Sequence, residues 1–186
     1  MFVPGGSYQP LSSDSPLRLD PFYLDRTEVT QKDYEAVMGD NPSYFKGPDR
    51  PVEKVTWFDA REYCRRVDKR LPTEWEWEKA IRAGRDTRYF WGEAMDDAYA
   101  WYKGNADKQT HPVGRKKPNP FGLYDMAGNV WEWTASFHAA GGKIVRGGSW
   151  RNSEVSLTSG KRIPSLPIHK FHYVGFRCAR SAAGAD

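Results

Sequence analysis

The sequence changes texture at Gly84, and that change limits its folds more than any other feature. Beyond it, Trp, Gly and Pro recur in short motifs: Phe90-Trp91-Gly92, Thr110-His111-Pro112-Val113-Gly114, Pro118-Asn119-Pro120-Phe121-Gly122, Gly128-Asn129-Val130-Trp131-Glu132-Trp133 and Arg146-Gly147-Gly148-Ser149-Trp150. Punctuation of this density interrupts both helices and strands. The segment is therefore expected to form turns and short strands held by large aromatic side chains, not a helical bundle. The 186 residues fit one domain, 1–186, with its core between residues 4 and 180. That length buries a core without staples or metals.

The first half reads differently. Pro4, Pro10, Pro16 and Pro21 keep the opening extended, and Phe22-Tyr23-Leu24 has the pattern of a short strand. Three helices are expected next. Thr30 caps the first, with Asp33 three residues on and Tyr34, Val37 and Met38 on one face. Thr56 and Asp59 open the second, whose stripe is Ala60, Tyr63, Cys64 and Val67. Thr73-Glu74-Trp75-Glu76 is a capping box for the third, with Trp77, Ala80 and Ile81 buried and Gly84 as its C-terminal cap. Trp75, Trp77, Trp131 and Trp133 are expected in the core. Ile144-Val145-Arg146 and Gly175-Phe176-Arg177-Cys178 read as strands, and no repeat of 20–50 residues is present.

Composition excludes some function classes. The net charge is +4, and basic residues interleave with acids; Arg115-Lys116-Lys117 is an isolated basic run that reads as a solvated turn. Nucleic-acid binding needs a basic face or stripe, so none is expected. No run approaches the ~18 apolar residues of a membrane span. The opening Met1-Phe2-Val3-Pro4-Gly5-Gly6 has neither a basic nor an apolar signal region. The protein is therefore cytoplasmic, or a leader has been removed from an exported one.

Taken in order, Glu28-Val29-Thr30, Val55-Thr56-Trp57-Phe58-Asp59-Ala60, Arg70-Leu71-Pro72-Thr73-Glu74, Gly122-Leu123-Tyr124-Asp125-Met126, Gly128-Asn129-Val130-Trp131-Glu132-Trp133, Arg146-Gly147-Gly148-Ser149-Trp150 and Gly175-Phe176-Arg177 resemble the formylglycine-generating enzyme (sulfatase-modifying factor) family. The resemblance implies a compact α+β fold of low regular secondary structure, related to C-type lectin-like folds, with two to three helices and short antiparallel strands. It also implies a chemistry: oxidation of a peptide cysteine at Cu(I) held by two thiolates, soft ligands suited to that ion. Here the matching positions are Asn152 and Leu157. Neither supplies a thiolate, so copper is not expected, and the sequence leans away from an enzyme.

The two cysteines, Cys64 and Cys178, match a structural disulfide of secreted family members. The alternative is two separate buried thiols in a cytosolic protein; a disulfide would place the chain in an oxidising compartment. The resemblance further implies Ca²⁺ held by the side chains of Asp125 and Glu132 and the carbonyls of Gly128 and Val130, oxygen donors that suit a hard cation. A second family calcium loop is shortened here to Gly104-Asn105-Ala106-Asp107. His169 and His172 are separated by two residues in a loop or strand, where that gap does not align side chains, and His111 reads as a turn residue, so solvated or hydrogen-bonded roles are expected of them.

In the family the region after the Gly-Gly turn lines a substrate groove. It is polar and aromatic here: Trp150, Arg151, Asn152, Ser153 and Glu154, with Lys161, Arg162, His169, Phe171 and Tyr173 completing a possible surface. Trp and Arg are enriched in binding hot spots. The function expected is a binding or accessory domain for a peptide, protein or small polar ligand. The alternatives are an oxidoreductase with a non-standard site and a structural domain of an envelope assembly. Arg146 and Arg177 are expected to tie loops together.

Overall fold

Residues 1–182 are described by a computed structural model. The proline-rich opening forms four short strands, β1 (Phe2–Val3), β2 (Gly6–Tyr8), β3 (Leu17–Leu19) and β4 (Phe22–Leu24). β2 and β3 pair as a small antiparallel ribbon, while β4 lies between β1 and β9 (Ala179–Ser181) in a three-stranded sheet. The two ends of the described chain thus meet on one strand.

Three helices follow the predicted caps: α1 (Gln31–Met38), α2 (Trp57–Arg66) and α3 (Glu74–Arg82). Thr30, Thr56 and Thr73 each accept a hydrogen bond from the backbone three residues on, and at α2 and α3 the acidic partner returns the bond. Each such cap contributes about 1 kcal/mol. α3 ends on Ala83 in the left-handed conformation, one residue before the expected Gly84. The face of α3 is also more mixed than expected. Trp77, Ala80 and Ile81 are buried, but so are Glu74, Glu76 and Glu78, and Trp75 is only half-buried with the Arg162 guanidinium 5.6 Å over its ring. Two residues along a helix is a rotation of about 200°, so Trp75 and Trp77 cannot share a face.

The Gly/Trp-rich half supplies β5 (Trp131–Phe137), β6 (Lys143–Arg146), β7 (Arg162–Ser165) and β8 (Val174–Gly175). They form a four-stranded sheet in the order β7-β6-β5-β8, antiparallel except for β5 with β8. The run Gly175–Cys178 is not one strand. Gly175 closes β8, and Phe176 and Cys178 cross to the other sheet, accepting hydrogen bonds from the amides of Val29 and Asp25 at 2.9 Å.

Two clusters make the core. One joins α1 and α2 to the large sheet through Tyr34, Tyr63, Trp131, Trp133, Val145 and Phe176. The other packs α3 on β1 and β4 through Trp77, Ile81, Phe22 and Leu24, with Phe90 and Leu123 from the loops. Cys64 of α2 and Cys178 are fully buried in the first cluster and joined by a disulfide, their Cα atoms 5.7 Å apart. Close backbone approaches fix the loops. At Gly128, where φ is +85°, an added Cβ would fall 2.1 Å from the Trp101 carbonyl oxygen.

Candidate functional site

The chain leaves β6 through Gly147-Gly148, and the following turn is tied to β5 from both sides. The Trp150 amide donates to the Asn129 carbonyl at 2.9 Å. The Asn152 Oδ1 accepts from the Trp131 indole at 2.9 Å and from the Ser149 hydroxyl at 2.6 Å. Trp150 is only 8% exposed. Its indole donates to the His172 carbonyl and its ring meets Phe45 edge-on. Arg151 is exposed, with its guanidinium 4.5 Å over the Tyr173 ring.

The segment leading into β8 supplies the other wall. It ends in a turn, in which the Val174 amide donates to the Phe171 carbonyl at 3.1 Å, and the turn sends neighbouring side chains apart. Tyr173 stacks on Phe171 with centroids 4.9 Å apart, and Phe171 meets His169 at 5.0 Å. His172 turns the other way, onto Tyr44, Phe45 and Trp150. Burial, helped by Arg151 and Lys54, holds its pKa below the ordinary imidazole value. His169 and His172 therefore do not converge.

Two clefts result. One, of about 470 Å³, has walls of Trp131, Val145, Ile163, Leu166, Phe171 and Tyr173. The other, of about 540 Å³, is bounded by Lys103, Lys108, Trp150, Arg151 and His172. Arg151, which lines the second, stacks over Tyr173, which lines the first, so the two clefts adjoin there.

Of the ten expected surface residues, Trp150, Arg151, His169, Phe171 and Tyr173 come together, and Lys161 lines neither cleft. The other four do not. Asn152 supports the turn from beneath, because its acceptor is consumed by Trp131 and Ser149. Ser153 starts a short 3-10 turn and Glu154 borders a separate cleft with Trp91 and Tyr102. Arg162 points to α3, 3.1 Å from Glu74. Sequence reasoning missed Tyr44, Phe45, Lys103, Lys108 and His172 as members. His172 lies in a turn and the lysines in a loop, so no periodic pattern marked them.

Asn152 and Leu157, the positions aligned with copper thiolates, both serve structure here, Leu157 being fully buried in the second core cluster. Both cysteines of the chain are bonded to one another. Around the expected calcium residues the cation is a side chain. Arg177 meets both Glu132 oxygens at 2.7 Å, and the Trp77 indole adds a third donor at 2.7 Å. Arg177 also donates to the carbonyls of Asp25, Arg26 and Tyr124. The Asp125 Oδ2 is taken by the Gly114 amide at 2.6 Å. Among the described residues no set of three or more metal-ligating side chains converges. So arranged, Glu132 is neutralised by Arg177 and one Asp125 oxygen is engaged by a backbone amide. Burial raises the Asp125 pKa to about 6, and burial with Asp125 and Glu132 nearby raises that of Glu28 well above the carboxylate range. Arg146 is the second loop tie, bonded to Glu78 and to the carbonyls of Gly160 and Lys161.

Residues 1–182 match the sulfatase-modifying factor enzyme 1-like domain. The chain belongs to the sulfatase-modifying factor family. Chaperone protein LppX of Paenibacillus barcinonensis is 34% identical over 220 residues, covering 82% of this chain and 79% of that protein. The inactive C-alpha-formylglycine-generating enzyme 2 of Bos taurus is 40% identical over 154 residues, covering 71% of this chain and 50% of the relative. The chain thus spans half the length of that second protein. Among solved structures, Treponema denticola variable protein 1 superposes with a TM-score of 0.86 at 28% identity, covering 97% and 94% of the two chains. These likenesses agree with the α+β fold of three helices and short strands found here.

Proposed function

We propose that this family member is a binding module that holds a peptide segment of a partner protein beside the His169–Phe171–Tyr173 strip. One observation carries the reading. Phe171 and Tyr173 are anchored on the first core cluster but only half-buried, and they form one wall of an apolar groove of about 470 Å³. Rigid aromatic walls beside a groove suit peptide side chains at low entropic cost. The cysteines support a non-oxidase role, since the disulfide consumes both. Two relatives bear names that agree with it, one a chaperone and one an inactive enzyme. The disulfide also supports export to an oxidising compartment.

Selection of a random peptide display library on the immobilised protein tests this. Selected peptides should bind wild type and lose about tenfold or more in affinity to Phe171→Ala/Tyr173→Ala. Oxygen uptake with a cysteine-bearing peptide and Cu(I) would instead establish an oxidase and overturn the proposal.

A further inference from the structure

We infer that the cleft beside the groove recognises a carboxylate of the bound peptide, so that the surface selects segments in which an acidic residue adjoins an apolar one. The inference rests on the peptide reading above and names the chemistry of the ligand.

Charge distribution is the first argument. Lys103, Lys108 and Arg151 are exposed on one concave surface, and no carboxylate lines it. Among the described residues none of the three is in an ion pair. Other exposed cations are also unpaired, beside pairs such as Lys32 with Asp49 and Arg70 with Glu76; what marks this cleft is that three of them border one concave surface without a carboxylate. In a chain of net charge +4, three unmatched cations around one cleft concentrate a positive field there. Arg151 is pre-positioned by stacking on Tyr173. The Lys103 amide is bonded to the Asn152 carbonyl at 3.0 Å, and Lys108 sits in a left-handed turn with φ of 57°. These cations therefore lie on tied-down backbone rather than on a loose tail.

Size and neighbourhood narrow the anion. A cleft of about 540 Å³ walled by Trp150 and His172 holds a side chain or two, not a nucleic-acid backbone, which needs a basic stripe. Its position adjoining the apolar groove favours a peptide over a sulfated sugar. A peptide offers an apolar side chain to one cleft and a carboxylate to the other.

The test uses peptides selected from a random display library on the whole protein, with affinities measured by fluorescence anisotropy. The selected sequences should contain Asp or Glu beside an apolar residue. Their amide counterparts, Asp→Asn or Glu→Gln, should bind at least tenfold more weakly. The variant Lys103→Gln/Lys108→Gln should erase that difference, and high salt should weaken only the acidic peptide. Intact mass and circular dichroism confirm that each variant is folded and disulfide-bonded. Neutral or basic selected peptides, or equal affinity for acid and amide forms, overturn the inference while leaving the peptide site standing. Absence of any selected peptide, or undiminished binding to Phe171→Ala/Tyr173→Ala, overturns the peptide site itself. A heparin-derived sulfated oligosaccharide that binds tenfold more tightly than every peptide overturns the choice of carboxylate.

Discussion

Arg177 grips Glu132 with two nitrogens, both at 2.7 Å, and neither residue reaches solvent. The pair joins β5 to the crossing segment after β8, and Arg177 reaches from there to three loop carbonyls. Removing one partner would strand the other charge in the interior, which costs about 3–5 kcal/mol. Arg177→Leu should therefore lose most of the stability. Arg177→Lys should not restore it, because an ammonium cannot reproduce the two-armed contact. Urea denaturation checks both; a Lys variant as stable as wild type would show that charge alone suffices.

The same arrangement sets the response to calcium. With Glu132 already neutralised by Arg177, saturating Ca²⁺ should move Tm by less than about 2 °C relative to a chelator, since a ligand stabilises only through binding to the folded state. A thermal melt showing a rise of about 5 °C or more would mean that Arg177 yields its place to the ion.

Asp125 gives a pH dependence of known sign. Burial, the largest cause, raises its pKa from 3.8 to about 6, against the pull of the Gly114 amide and Arg177. The folded state thus holds this proton more tightly than the unfolded one. Its contribution is fully present below the unfolded value and is lost as pH rises through the folded value. The loss between about pH 4 and 6 amounts to about 3 kcal/mol. Asp125→Asn should flatten that part of the stability–pH curve. An unchanged curve would assign the slope to Glu28, which shifts in the same direction.

The disulfide should matter through the unfolded chain. Cys64 and Cys178 are 114 residues apart in sequence, and closing a loop of that length contributes about 4–5 kcal/mol in the chain-entropy view. Cys64→Ala/Cys178→Ala should lower the urea midpoint accordingly. Intact mass after alkylation should show no modified thiol until a reductant is added.

Asn152 tests whether a site-like residue is structural. Its Oδ1 serves two donors, one of them the largely buried Trp131 indole, so Asn152→Ala should cost about 1–3 kcal/mol. Peptide affinity should fall less than for Phe171→Ala. The opposite ranking would place Asn152 in contact with ligand.

Local signals were the legible ones. A capping threonine with an acid three residues on is a contact within one turn, and at Thr30, Thr56 and Thr73 it marked the helix starts. Motif order revealed the family, and with it the fold class. Long-range partners were not legible. Glu74 and Glu78 on α3 look like solvated acids until Arg146 and Arg162 arrive from the large sheet. Arg162, read as surface, belongs to that pairing. Likewise Lys103 and His172 meet at one cleft although 69 positions separate them, and no window of sequence contains both.

β4 holds both ends of the domain: Tyr23 pairs with Phe2 on one side and Arg180 on the other. Strands on either side of a third lie about 10 Å apart. Entry and exit are therefore neighbours, and the domain could be threaded into a surface turn of a host protein without prying its flanks open. By the same geometry a short linker could join residues 1 and 182, and new termini could be opened elsewhere, for instance at the Ala140–Gly141 turn between β5 and β6. Such a permuted chain should keep this fold, which makes the face proposed to hold a peptide a transplantable part.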